Sequence, residues 1–129
     1  MKRLLVVTAV IELGAGVALL CCPSATVKLL LGSPLDSAAA LTLGRVAGAA
    51  LFALGVACWL AYYDAESCAA RGLASAMVLY NIGVAVILGA AGIHSQPVGI
   101  ALWPAVILHA AMTVWCIASL LRKNQQPGR

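Results

Sequence analysis

Four apolar stretches, residues 4–22, 38–63, 73–91 and 98–121, occupy most of this 129-residue chain. Each is close to or longer than the roughly 20 residues that carry a helix across a hydrocarbon core. A lone apolar segment in lipid must satisfy its own backbone hydrogen bonds, which selects helix over strand whatever its content of β-branched residues. Short connections make neighbouring spans antiparallel. The expected fold is all-α, an integral membrane four-helix bundle forming a single transmembrane domain over residues 1–129.

Composition agrees with a lipid solvent. The chain is 64% apolar and 9% charged, with a mean hydropathy of +1.04, whereas a soluble domain carries about 25% charged residues. A soluble chain of this size also has too little interior to hide so much apolar surface. The net charge of +4 forms no basic stripe, so no nucleic-acid partner is expected. The positive residues instead flank the spans, where they set orientation. Lys2, Arg3, Arg71, Arg122, Lys123 and Arg129 fall on one side and Lys28 alone on the other. That bias predicts a cytoplasmic N-terminus, 64–72 loop and C-terminus in a cell inner membrane. Met1-Lys2-Arg3 before an apolar run also mimics a signal peptide. Glu12 inside that run and the bulky Leu20 before Cys21 favour a retained helix.

Between the first two spans, residues 24–32 suit a short helix lying in the outer interface, with Pro23 in its first turn and Gly32 ending it. Trp59, Tyr62 and Tyr63 near one end of the second span and Trp103 near the start of the fourth suit aromatic belts. The tail 122–129 is polar, and its part 124–129 is expected to be disordered. The five cysteines (Cys21, Cys22, Cys58, Cys68, Cys116) form no CxxC and no zinc-like spacing. They are read as small apolar side chains, and no disulfide is expected to hold the fold.

Membrane helices associate through close packing and polar contacts, and small residues four apart mark the packing faces. The spacing predicts such faces at Gly14 and Ala18 in the first span, and at Gly44, Gly48, Phe52 and Gly55 in the second. In the third they fall at Asn81, Ala85 and Gly89, and in the fourth at Ala105, His109, Thr113 and Cys116. One ionisable or amide side chain interrupts each span: Glu12, Arg45, Asn81 and His109. An ionisable side chain at membrane depth costs about 2.5–3.5 kcal/mol, so such residues face the bundle and find partners. From a rise of about 1.5 Å per residue, Glu12 and Asn81 lie about 13 Å from the cytoplasmic edge, His109 about 18 Å and Arg45 about 20 Å. The four are therefore expected to meet near the midplane and to form the ligand-binding residues, if any exist. The bland alternative is a structural ion pair of Glu12 with Arg45, braced by Asn81 and His109.

Hydrolase elbow, phosphate loop, HExxH and dinucleotide fingerprint are all missing. The chain is read as a non-enzyme with no cofactor and no metal site. Its expected partners are membrane lipids, a second copy or another membrane protein, and its expected work is binding an amphiphile, a lipid or such a partner.

The phrase Leu43-Gly44-Arg45-Val46-Ala47-Gly48, followed by Leu51, Phe52, Gly55 and Trp59, resembles the DoxX-like and related small four-helix bacterial inner-membrane proteins. There an arginine followed by spaced glycines is common within a span. The likeness covers about one helix and the general layout. In size, helix count and a glutamate midway along the first helix (Glu12), the chain is also similar to the small multidrug resistance transporters. That likeness implies proton-coupled transport of a small molecule as an alternative. It departs from them at Arg45, at the outer helix and in its strong orientation bias. A further alternative is an accessory subunit of a membrane complex.

Overall fold

In the computed structural model, residues 1–94 and 97–124 are described, without the side chains of the last two. The remainder of the polar tail, 125–129, lies outside the described residues. The described chain folds as five helices: α1 (Lys2–Cys21), α2 (Pro23–Leu31), α3 (Ala38–Tyr63), α4 (Cys68–His94) and α5 (Leu102–Asn124). Four of them are long and apolar enough to cross a membrane. Large apolar side chains cover their outer faces, including Leu43, Leu79, Val86, Ile107 and Val114. A soluble monomer does not expose contiguous apolar surface on that scale. The fold is an all-α membrane bundle, and the protein is a multi-pass membrane protein.

Two helix starts differ most from expectation, each for a local reason. The third span starts at Cys68 rather than at residue 73, because Ser67 caps it. Its hydroxyl accepts from the Ala70 amide at 3.1 Å, and the alanine-rich Cys68–Arg71 segment winds readily into helix. Arg71 thus belongs to the first turn of α4, not to a loop. The fourth span begins at Leu102 rather than at residue 98, because residues 97–101 are engaged by α2. The amides of Gly99 and Ala101 donate to the carbonyls of Leu30 and Leu29 at 3.2 and 2.9 Å. Those carbonyls belong to the last turn of α2 and have no partner within it.

α2 itself is built as its sequence suggests. Pro23 stands in the first turn, and Gly32 closes the helix in the left-handed region at φ 82°, its amide bonded to Lys28 O. A β-carbon at Gly32 would also run into the Pro97 carbonyl. Thr26 ties the α1–α2 corner by donating to Ala18 O and Cys22 O at 3.1 and 2.9 Å. Ser24 and Leu35 exchange two bonds, each of 3.1 Å, that hold the linker to α3.

The four long helices pack as two pairs. α1 lies along α3 over most of its length and α4 along α5, while contacts between the pairs are few. The α1/α3 pair is glycine-mediated. A β-carbon on Gly48 would stand 2.9 Å from Gly16 O, one on Gly16 would stand 2.6 Å from the Phe52 amide, and one on Gly55 would stand 2.8 Å from the Leu13 amide. Backbones that close exchange many van der Waals contacts, which drive association where the hydrophobic effect cannot. Gly48 and Gly55 thus serve as expected, whereas Gly44 packs on Pro23 and Leu35 at the corner between α2 and α3. In α1 the contact glycine is Gly16, since Gly14 is exposed with open space around it. Gly89 likewise meets nothing, and Gly92 packs on Leu102 and Trp103 instead. Between the pairs lies a core drawn from all four long helices: Leu4, Ala9, Cys58, Met77, Met112 and Cys116.

Candidate functional site

A chain of polar side chains crosses the seam between the two helix pairs. On α1, Thr8 and Glu12 are one turn apart on the inward face, and each is 2% exposed. The Tyr80 hydroxyl, from α4, donates to Glu12 Oε2 at 3.1 Å. The Tyr80 ring meets the His109 ring of α5 edge to face, centroids 5.7 Å apart. His109 Nδ1 lies 2.7 Å from Asn81 Oδ1, and Asn81 Nδ2 donates to Met77 O at 2.7 Å. Because the amide nitrogen of Asn81 is committed to that carbonyl, its oxygen faces the imidazole. Nδ1 is therefore the protonated nitrogen and donates. Thr113 secures the same helix by donating to His109 O at 2.9 Å.

Glu12, Asn81 and His109 are thus brought into one neighbourhood, with Asn81 and Glu12 fully buried and His109 half-buried. Arg45 is not brought with them. It is exposed on α3, and no ion pair joins it to Glu12, whose one hydrogen bond to the described residues comes from Tyr80. Helix phase is the reason. Gly48 fixes the α3 face turned to α1 and Cys58 the face turned to the inter-pair core, and Arg45 is rotated about 60° from the first and about 140° from the second. The arginine therefore points away from the seam, so the expected Glu12–Arg45 pair does not form.

Two participants escape a search for ionisable residues. Tyr80 sits in mid-span, away from either aromatic belt, where its hydroxyl requires a partner; that position was the available signal. Thr8 lies four residues before Glu12, on the same helical face. Its hydroxyl oxygen is buried and, among the described residues, is the one buried side-chain polar atom without a hydrogen-bond partner. Such an orphan inside a low-dielectric bundle marks a place where polarity is left unanswered by the protein.

Chemically, the seam offers a carboxyl group facing inward with one hydrogen bond and no cation, beside an aromatic ring, a second ring nitrogen and an unpartnered hydroxyl. Among the described residues no three His, Cys, Asp or Glu side chains gather as metal ligands, and all five cysteines are free thiols.

No protein-family model matches the chain, and neither a curated protein nor a solved structure does. Fold and composition define the class, a small multi-pass membrane protein with a polar seam between two helix pairs.

Proposed function

We propose that this protein binds a cationic amphiphile in the membrane, with Glu12 as the charged anchor and Tyr80, Asn81 and His109 as the polar and aromatic wall. One observation carries the reading: Glu12 is buried, yet no cationic side chain among the described residues answers it. An ionisable group at that depth needs a partner, and with Arg45 turned outward the partner is a proton or a bound cation. A lipophilic cation reaches the site from lipid through the sparse contacts between the helix pairs, and the Tyr80 ring adds a cation–π surface. The protein resides on this reading in a cell inner membrane, termini inward, as the flanking charges suggest.

Tetrabutylammonium binding to the detergent-purified protein, followed by calorimetry, tests this. Affinity should fall as pH is lowered, because proton and cation compete for one carboxylate. Glu12→Gln should abolish binding, while Arg45→Leu should leave it intact. Undiminished binding by Glu12→Gln would exclude Glu12 as the anchor.

A second reading, proton-coupled transport of the same class of molecule, is favoured by the outward Arg45. A cation beside Glu12 would otherwise have competed permanently for the carboxyl. Ligand-dependent proton movement in liposomes separates transport from binding, and its absence leaves the binding reading alone.

A further inference from the structure

At the end of the bundle that holds the start of α1 and the last turns of α5, these two helices stand apart and leave two adjoining hollows. One, of about 680 Å³, is lined by Lys2, Arg3, Glu66, Ser119 and Arg122 together with Trp115. The other, of about 410 Å³, is lined by Val6, Val7, Tyr62 and again Lys2, Arg3 and Trp115. The shared residues make them one depression, polar at the helix ends and apolar a turn deeper. Its polar part holds three cations from two helices against one carboxylate, Glu66, which is itself engaged in an interaction. The Lys2 ammonium lies 5.5 Å from the centre of the Tyr62 ring, a cation–π contact that keeps it at the boundary between the two parts. Flanking charges that merely orient a span would be scattered around the bundle; these converge on one hollow with an apolar groove leading out of it.

The occupant must then carry a negative head and an apolar tail. We propose that the depression binds an anionic phospholipid from the leaflet at the terminal end. Its phosphate lies against Lys2, Arg3, Arg122 and the Ser119 hydroxyl, and one acyl chain runs along Val6, Val7 and Trp115. This goes beyond the Glu12 site, from which it differs in residues and in the sign of the ligand's charge. Basic side chains at a membrane surface attract anionic lipid cumulatively, each by about fivefold in affinity.

The test is native mass spectrometry of the protein released from nanodiscs containing equal phosphatidylglycerol and phosphatidylcholine. The protein should keep phosphatidylglycerol preferentially. Arg3→Gln and Arg122→Gln should each lower that preference about fivefold, and Arg122→Lys should largely retain it. Trp115→Ala, with every cation in place, should also release the lipid, and glycerol 3-phosphate should not displace it. Arg45→Gln, which removes a cation from the opposite half of α3, should change nothing. Equal retention of both lipids, or an effect of Arg45→Gln matching that of Arg122→Gln, would overturn the proposal. Displacement by glycerol 3-phosphate would show a site for soluble phosphate instead. Tetrabutylammonium binding measured on the same variants keeps the two sites distinct, since it should survive the loss of Arg3 or Arg122. It also confirms that each variant is folded.

Discussion

Glu12 and Tyr80 lie 68 residues apart in the chain, and the hydrogen bond between them is one of few polar links joining the helix pairs. A buried hydrogen bond contributes about 0.5–1.5 kcal/mol, and more is lost when one partner is left unsatisfied. Tyr80→Phe should therefore destabilise the protein by about 1–2 kcal/mol, read from reversible unfolding in mixed micelles. In a cycle with Glu12→Ala the two losses should be less than additive; full additivity would mean that the bond does not form. Arg45→Leu should change stability by no more than about 0.5 kcal/mol, as for a surface position. The inward positions of Glu12, Asn81 and His109 were legible because each is expensive in lipid. Arg45 was not, because the same cost argument ignores helix phase and a long side chain can leave the hydrocarbon along its stem. Tyr80 carries no charge to single it out, although its hydroxyl demands a partner.

At the level of helices, stability rests on the glycine contacts of α1 with α3. A larger side chain at Gly16 or Gly48 would have to displace backbone 2.6–2.9 Å away, and backbone cannot move aside as a flexible side chain can. Gly48→Leu should cost about 3 kcal/mol or more and separate the pair, detectable as loss of the monodisperse species in mild detergent. Gly14→Ala and Gly89→Ala, with nothing within 4 Å, should be neutral or stabilising by up to about 1 kcal/mol. The four spans were legible from apolar length alone, and α2 from Pro23 and Gly32. The packing glycine of α1 was not found, since Gly14 and Ala18 offered the same spacing. Phasing the helix on its own polar residue would have found it: Thr8, Glu12 and Gly16 follow one another at four-residue intervals. The start of α4 was missed because Arg71 suggested a loop, while the Ser67 cap and the alanines after it favour helix.

Across the whole molecule, two tight helix pairs meet loosely around a polar seam, and the start of α1 and the last turns of α5 share one end with Tyr62 and the Lys2–Arg3 cations. The charge bias predicts that this end faces the cytoplasm. A periplasm-active reporter fused after Arg129 should stay silent, and strong activity there would reverse the orientation. The claim on which the functional reading depends is that Glu12 is a carboxyl group buried at the seam between the helix pairs and reached there by a lipid-borne ligand. A hydrophobic carbodiimide partitions into lipid and reacts with carboxyl groups it meets there, so its labelling of the protein in intact membranes, mapped by peptide mass spectrometry, measures that directly. Label should appear on Glu12 and not on the exposed Asp36 and Asp64, and tetrabutylammonium should block it. An unlabelled Glu12, or labelling that the cation leaves unchanged, would contradict a ligand site at the seam.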